Sequence, residues 1–370
     1  MQICCTKKLN DEMGIVPGKG TEENDLFCWS VHLITVKRRK TLVAVNDSNR
    51  YGFVLHGLKA NDFKHINELL IQGIRNCLRD EKIKSEIIER YLEAAGELVF
   101  SKTRGAKYVA RLNKACEQVN IFDESLETKE LYQTNVAKRM NNDLMKIPRE
   151  SDYTYPHALL YRDFKIFAGE EIIKCEAVDI MVKLNLDRHT VWRRVITPID
   201  ITFKQLHSIL QAVFGWKSYH LYDFNIFDEA GKCILKVISE FEEVFEPRPD
   251  CPMRLDSEVN FSEYAKQPYK ITYCYDYGDN WEHEITIRGT NTEYNKTYPV
   301  CLMGEGNAPP EDVGGIPGYV EFLKIMADPN HVDYELMQNW AKNQGYRNFD
   351  MELINRRLET ILRVSSPHIL

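Results

Sequence analysis

The sequence predicts an α+β protein of two domains, each built on an antiparallel or mixed sheet with packed helices. Three observations point there. Strand-like alternation and helix-like stripes occur in both halves, but without the regular strand–helix alternation of a doubly wound sheet. The 370 residues exceed what one small core organises. Residues 120–149 are polar, lose their apolar rhythm in places and run into Pro148 and Pro156, as a helical connection and linker would. We place the boundary near residue 150, giving domains 1–150 and 151–370.

The first domain opens as a small antiparallel meander. Phe27 to Val36, Thr41 to Val45 and Tyr51 to Leu55 are rich in aromatic and β-branched residues, and Asn46 to Asn49 form a turn cluster. Helices follow. Phe63, Ile66, Leu70, Ile74 and Cys77 recur at helical spacing behind Asp62, and 85–95 and 106–119 are two more helices. The second domain begins with a strand around Val178 to Leu186. Thr202 and Gln205 form a capping box ahead of Leu206, Ile209, Leu210 and Val213, and Gly215 stops that helix. Strands run to about Arg288. Three helices close the chain, with stripes at Tyr319–Met326, Tyr334–Ala341 and Ile354–Ile361, the last capped by Asp350.

Composition narrows the function classes. Hydrophobic residues make up 44% and charged residues 28%, the proportions of a folded chain. No apolar run reaches the roughly 18 residues of a membrane helix, and the first residues lack the apolar core of a secretory signal. The expectation is a cytoplasmic protein with no membrane partner. Ten cysteines without a CxxC pair suit reduced, buried thiols, with adjacent Cys4 and Cys5 the pair to watch for exposure. The net charge of −7 is uneven: residues 1–150 hold 25 Lys and Arg against 21 Asp and Glu, and the remainder holds 23 against 34. Such a split hints at different partners for the two halves.

Residues 269–288 carry the strongest chemical signal. Tyr273 to Tyr277 and Trp281 to Ile285 read as the arms of a hairpin turning at Gly278-Asp279-Asn280, with Gly278 supplying the unusual backbone angle. Trp281, His283 and Ile285 then share one face, and Asp276, Asp279 and His283 can converge at one end. Pro309-Pro310-Glu311-Asp312-Val313-Gly314-Gly315 is a second acidic element, stiffened by prolines and able to pass close to another backbone at its glycines. If loop and hairpin meet, Asp276, Asp279, His283, Glu311 and Asp312 are the candidate ligands for Mg²⁺ or Mn²⁺, and the ion would activate water. The competing reading has Asp279 closing a turn, an acidic residue capping a helix and His283 packed in the core. We further expect hairpin 269–288 to pack on loop 304–319, their junction to line the main C-terminal cleft, and the Trp281 indole to donate to that loop.

Arg193 and Arg194 lie on a probable strand and face opposite ways, so one at most reaches a phosphate; a carboxylate partner is the plainer reading. In the first domain Lys37, Arg38, Arg39 and Lys40, with Lys102, Arg104 and Lys107, are candidate nucleic-acid contacts, against a solvated hairpin tip. No Walker loop, dinucleotide fingerprint, nucleophile elbow or HExxH occurs.

Val191-Trp-Arg-Arg194, Leu206-His207, Phe214-Gly-Trp216, His220-Leu221, Tyr275-Asp-Tyr-Gly-Asp-Asn-Trp-Glu-His283, Cys301 with Gly304, the Pro309–Gly315 loop and Gly318-Tyr319 together resemble the plasmid pRiA ORF-three-like family over about 175–360. The resemblance implies an α+β fold and an association with plasmids and insertion elements. Some members carry the label resolvase, but this chain has no serine-resolvase pattern. It departs from the family at Tyr222, usually a second histidine, and at Val313, often a cysteine. Cys5-Thr-Lys-Lys-Leu9, Trp29, Lys40-Thr41, Asn46-Asp47 and Lys102-Thr103 resemble an uncharacterised bacterial domain attached to that family.

Two functions compete, and whether the protein is an enzyme stays open at this stage. One is a mobile-element or defence-associated binding protein, its basic first part on nucleic acid and its acidic second part on a protein partner or a small ligand. The other is a metal-dependent hydrolase of phosphodiesters, with Asp276, Asp279, His283, Glu311 and Asp312 around Mg²⁺ or Mn²⁺ and Arg193 or Arg194 on the phosphate. Trp281 and His220 complete the candidate pocket. A purely structural adaptor is the third reading.

Overall fold

The computed structural model describes residues 1–146, 153–239 and 251–363. They form two compact units, Met1–Lys174 and Cys175–Leu370. Both combine helices with antiparallel or mixed sheets, as an α+β protein should.

The first unit runs β1 (Gln2–Cys5), α1 (Lys7–Met13), β2 (Cys28–Val36), β3 (Arg39–Asn46), β4 (Gly52–Leu58), α2 (Ile66–Asp80), α3 (Ser85–Ala95), β5 (Val99–Lys102), α4 (Ala106–Ile121), α5 (Thr134–Asn141), β6 (Met145–Lys146), β7 (Tyr153–Thr154) and α6 (Pro156–Ala168). The expected meander is present as β2–β4, but it is part of a five-stranded sheet in the order β4-β3-β2-β1-β5. Strand β1 is parallel to both neighbours. Its place between β2 and β5 buries Cys4 and Cys5, in line with the expectation of buried thiols and despite their position near the terminus. The unit ends later than composition suggested because α6 packs Leu160 and Phe164 into the core containing Trp29, Phe53 and Tyr91. Buried aromatic area of that kind is the main stabilising term available to a fold of this size.

The second unit runs β8 (Cys175–Leu184), β9 (Val191–Pro198), α7 (Phe203–Phe214), β10 (Tyr222–Phe227), β11 (Cys233–Ile238), β12 (Met253–Leu255), β13 (Lys270–Tyr275), β14 (Trp281–Tyr294), β15 (Val300–Glu305), α8 (Gly315–Ala327), α9 (Tyr334–Asn343) and α10 (Met351–Ile361). Its eight-stranded sheet has the order β12-β11-β10-β13-β14-β8-β9-β15, antiparallel except for β11 with β12. The capping box forms as read: Thr202 accepts from Gln205 N–H, and Gln205 returns to Thr202 N–H. Helix α7 then buries Phe203, Leu206, Ile209, Leu210 and Val213 in the core shared with the sheet. Gly215, at φ 80°, ends the helix in the left-handed region, so the chain turns sharply into Trp216.

One thiol expectation fails. Cys233 and Cys251 are disulfide-bonded across the ends of β11 and β12, with Cα atoms 5.6 Å apart. Their 18-residue separation gave no motif to read. No helix among the described residues is long and apolar enough to cross a membrane.

Candidate functional site

The site forms where three segments of the second unit meet: the turn before β10, the β13–β14 hairpin and the loop before α8. Tyr275, the last residue of β13, is fully buried and packs its ring 5.0 Å from that of Trp216. The next residue, Asp276, adopts φ 59°, a conformation open to aspartate and rare for larger side chains. Its N–H donates to Leu221 O (2.9 Å), which places it beside His220. Asp276 Oδ1 accepts from Gly278 N–H (2.9 Å) and Asp279 N–H (3.3 Å). The unusual angles of the turn thus fall on Asp276 and Asn280 rather than on the expected Gly278.

The loop is fastened separately. Trp216 Nε1 donates to Pro309 O at 2.9 Å. Glu311 is 1% exposed; Oε1 accepts Lys217 N–H at 2.7 Å, and the Tyr275 hydroxyl donates at 3.1 Å. Burial pushes its carboxyl above the usual range, opposed by those two donors and by His220. Asp312 follows at φ 58° and is exposed. Loop and hairpin touch: Gly314 N–H donates to Asp279 Oδ2 at 3.2 Å, and a Cβ on Gly315 would lie 2.9 Å from Asp279 O. The double glycine is therefore a close backbone crossing.

His220 Nε2 stands at the centre. It is 3.1 Å from Asp312 Oδ1, 3.6 Å from Asp276 Oδ2 and 3.8 Å from Glu311 Oε2, yet it makes no hydrogen bond, and the atom is buried. One ligand atom each from His220, Asp276 and Asp312 fits within 4.8 Å, the single such group among the described residues. Three carboxylates around one imidazole leave negative charge to be balanced. One nitrogen with several oxygens is a donor set for Mn²⁺ or Mg²⁺, and equally for Zn²⁺.

The structure does not bring the other candidates to this point. Asp279 is used by the loop contact with Gly314. His283 is wholly buried; Nδ1 lies 3.2 Å from Tyr273 O, Phe214 and Trp216 pack against the ring, and burial pushes its pKa down to about 3. Trp281 is 1% exposed and shares the inner face with His283 and Ile285, but its indole N–H has no partner; the donor to the loop is Trp216. Arg193 is buried and donates to the carbonyls of Trp192, Val213, Glu305 and Gly306. Arg194 is paired with Asp179 at 2.6 Å on the other face of the strand. Neither arginine is placed for a phosphate at His220. A cavity of about 740 Å³ in this unit is lined by hairpin residues such as Tyr269, Lys270, Glu284 and Arg288 without the loop, and one of about 40 Å³ by Arg193, Trp216, Glu311, Tyr346 and Phe349 without the hairpin, so neither lies at their junction.

Tyr222 has taken a structural role. It stacks on His207 with centroids 3.5 Å apart, and its hydroxyl donates to Asp256. His207 bridges the Tyr273 and Ser218 hydroxyls, and burial pushes its pKa down to about 3. Tyr275 and Trp216 are the positioning residues sequence reasoning passed over. Their signal was their place beside Asp276 and Gly215, inside motifs already singled out.

In the first unit Lys37 and Arg38 both have positive φ and form the two-residue tip between β2 and β3. Lys37 donates to Asp123 O (2.7 Å) and Arg39 to Thr128 O (3.1 Å); Lys40 pairs with Glu12. Arg104 is 2.7 Å from Asp25 and 3.6 Å from Asp47. Lys107 sits 4.5 Å over the Tyr108 ring, while Arg38 and Lys102 are exposed.

Comparison with known proteins agrees with the division into units. Residues 2–159 match a domain of unknown function, DUF6933, and residues 176–358 match the plasmid pRiA4b ORF-3-like protein model. The uncharacterized protein y4hQ of Sinorhizobium fredii is 33% identical over 169 residues, covering 45% of this chain and 82% of that protein. The crystal structure of MM3350, a protein of unknown function from Methanosarcina mazei Go1, is 28% identical and covers 48% of this chain and 93% of that one, with a TM-score of 0.40. The hairpin, the double-proline loop and the curated relative agree, and through its second unit this chain belongs to the plasmid pRiA4b ORF-3-like family.

Proposed function

We propose that the second unit holds a divalent cation between His220, Asp276 and Asp312 and uses it in hydrolysis, with phosphodiesters as the substrate class. The observation that carries this reading is the buried His220 Nε2, without a hydrogen bond and facing three carboxylates. A cation there would satisfy the imidazole lone pair and balance the carboxylates. Asp276 and Asp312 would ligate, and Glu311, fixed by Lys217 N–H and Tyr275, would stand behind them. Asp312 is exposed, so one side of the site is open to water and substrate. A bound divalent ion lowers the pKa of its water and neutralises charge on a phosphate oxygen. Because Arg193 and Arg194 are engaged elsewhere, the cation would carry that neutralisation.

The test is calorimetric titration of the full chain with Mn²⁺, Mg²⁺ and Zn²⁺, followed by an assay on bis(p-nitrophenyl) phosphate. Binding lost in His220→Ala and Asp276→Asn supports the site. No binding of any of the three ions, or binding untouched by His220→Ala, overturns it. Cation binding without ester turnover removes the hydrolase half.

A second reading, nucleic-acid contact by the first unit in a mobile-element setting, is favoured by the excess of basic residues in 1–150. The internal partners of Lys37 and Lys40 weaken it at the hairpin, and those of Arg104 ahead of α4. That reading needs a different surface.

A further inference from the structure

The first unit contains a cavity of about 400 Å³ whose charges are almost all of one sign. Its rim carries Arg50, Lys107, Arg111, Lys114 and Lys146, with Asp143 the one carboxylate lining it among the described residues. Lys107, Arg111 and Lys114 fall at intervals of four and three along α4, so they share one helix face. Asp143 is shared between Lys114, at 3.6 Å, and the Gln118 amide. The floor is apolar, from Val45, Met140 and Met145.

Two arginines make the cavity more than a solvated face. Arg50 has φ 64° and is half-buried; its NH1 points at the Met145 sulfur, 3.2 Å away, and it meets no carboxylate among the described residues. Arg111 donates to the backbone oxygen of Asp47 at 2.7 Å; it makes no direct ion pair among the described residues, though its charge is felt by the Asp47 carboxyl. The two guanidinium groups repel each other: burial first, and Arg111 second, lower the pKa of Arg50. An excess of cations around a concavity focuses a positive potential and favours an anion that fills it.

We propose that this cavity binds a nucleotide, its phosphate on Arg50, Arg111 and Lys114 and its base on the floor of Val45, Met140 and Met145. A guanidinium fork matches phosphate oxygens, and polarizable thioethers suit the face or edge of an aromatic ring. The volume lies in the range of small-molecule sites and exceeds what inorganic phosphate alone would fill. The inference is independent of the cation site, which lies in the other unit. The nucleotide can be free or the terminal residue of a strand, since the recognition chemistry is shared.

The experiment uses the full chain at low ionic strength, with three probes: inorganic phosphate, adenosine monophosphate and a short 5′-phosphorylated DNA single strand. The variants are Arg50→Gln and Lys114→Gln; Lys114 is exposed, so its loss leaves the fold intact, as circular dichroism would check. We expect saturable binding of the monophosphate, stronger than inorganic phosphate and weakened about tenfold by each variant. Equal binding of monophosphate and oligonucleotide assigns a free nucleotide. Tighter oligonucleotide binding, or oligonucleotide binding alone, assigns a strand end, provided the variants abolish it. Absence of binding by all three probes, inorganic phosphate binding as tightly as the monophosphate, or binding indifferent to both variants overturns the proposal.

Discussion

Trp216 donates its indole N–H to Pro309 O at 2.9 Å, tying the end of α7 to the middle of the acidic loop. The same tryptophan packs against Phe214 (5.3 Å), Tyr275 (5.0 Å) and His283 (5.3 Å). It thus connects the helix, the hairpin and the loop that together surround His220.

Trp216→Phe should remove the donor and leave the Pro309 carbonyl buried, at a cost of about 1–3 kcal/mol. Trp216→Ala should cost about 3–5 kcal/mol through the cavity it opens. Urea melts followed by circular dichroism would measure both. Equal stability of wild type and Trp216→Phe would show that the contact contributes nothing net.

The cation ligands and the turn residue should separate cleanly. His220→Ala and Asp276→Asn should each lower Mn²⁺ affinity by at least about tenfold, since a ligand atom is lost or loses its charge. Asp279→Asn keeps an oxygen that can accept from Gly314 N–H, so it should leave affinity and melting temperature close to wild type. A large affinity loss in Asp279→Asn would mean that the group is wrongly drawn.

Much of this arrangement is legible in the sequence, and the exceptions share one cause. The capping box at Thr202 and Gln205 is local, so spacing alone reveals it. The inner face of Trp281, His283 and Ile285 follows from strand alternation. What alternation does not show is what covers that face. Phe214 and Trp216 cover it, so His283 is a core residue and His220, from a turn, faces the carboxylates. Strand β1 has only four residues, and its role depends on pairing with β2 and β5, distant in sequence. Arg193 reads as a surface cation until the two carbonyls of β15 and the end of α7 close around it.

Acid should destabilise the second unit before its carboxylates protonate. His207 and His283 are held near 3 by burial, against 6.5 for an ordinary imidazole. Between those values the unfolded chain binds more protons than the fold. Their contribution is fully present above pH 6.5 and is lost as pH falls towards 3. Each histidine adds a slope of about 1.4 kcal/mol per pH unit within that window. Glu311, raised by burial, acts in the opposite sense from its ordinary range upward. Comparing wild type with His283→Phe isolates one histidine: urea midpoints across pH 4 to 6 should fall less steeply in the variant. Parallel curves would mean that His283 binds its proton in the folded state.

Arg193 should prove more important to stability than any surface ion pair in the unit. Arg193 is 2% exposed, and its guanidinium lies between the rings of Phe214 (5.4 Å) and Phe349 (4.3 Å). It meets no carboxylate among the described residues. Instead Nε donates to Val213 O at 3.0 Å, NH1 to Trp192 O and Glu305 O at 2.8 Å, and NH2 to Gly306 O at 2.8 Å. Burial pulls its pKa down to about 10, which still leaves it charged at neutral pH. A lysine has one nitrogen in place of this fork and cannot reach all four acceptors. Gly304 leaves no room to shift, because a Cβ there would lie 2.8 Å from Arg193 Cδ. Arg193→Lys should therefore cost at least about 3 kcal/mol, through carbonyls left buried and unmade. Arg194→Lys, on a solvent-screened pair with Asp179, should leave stability close to wild type. Because Gly306 begins the segment that carries Glu311 and Asp312, Arg193→Lys should also weaken Mn²⁺ binding under conditions where the variant is still folded. A folded Arg193→Lys protein with undiminished affinity would show that the carbonyl clamp holds the fold and leaves the cation site unaffected.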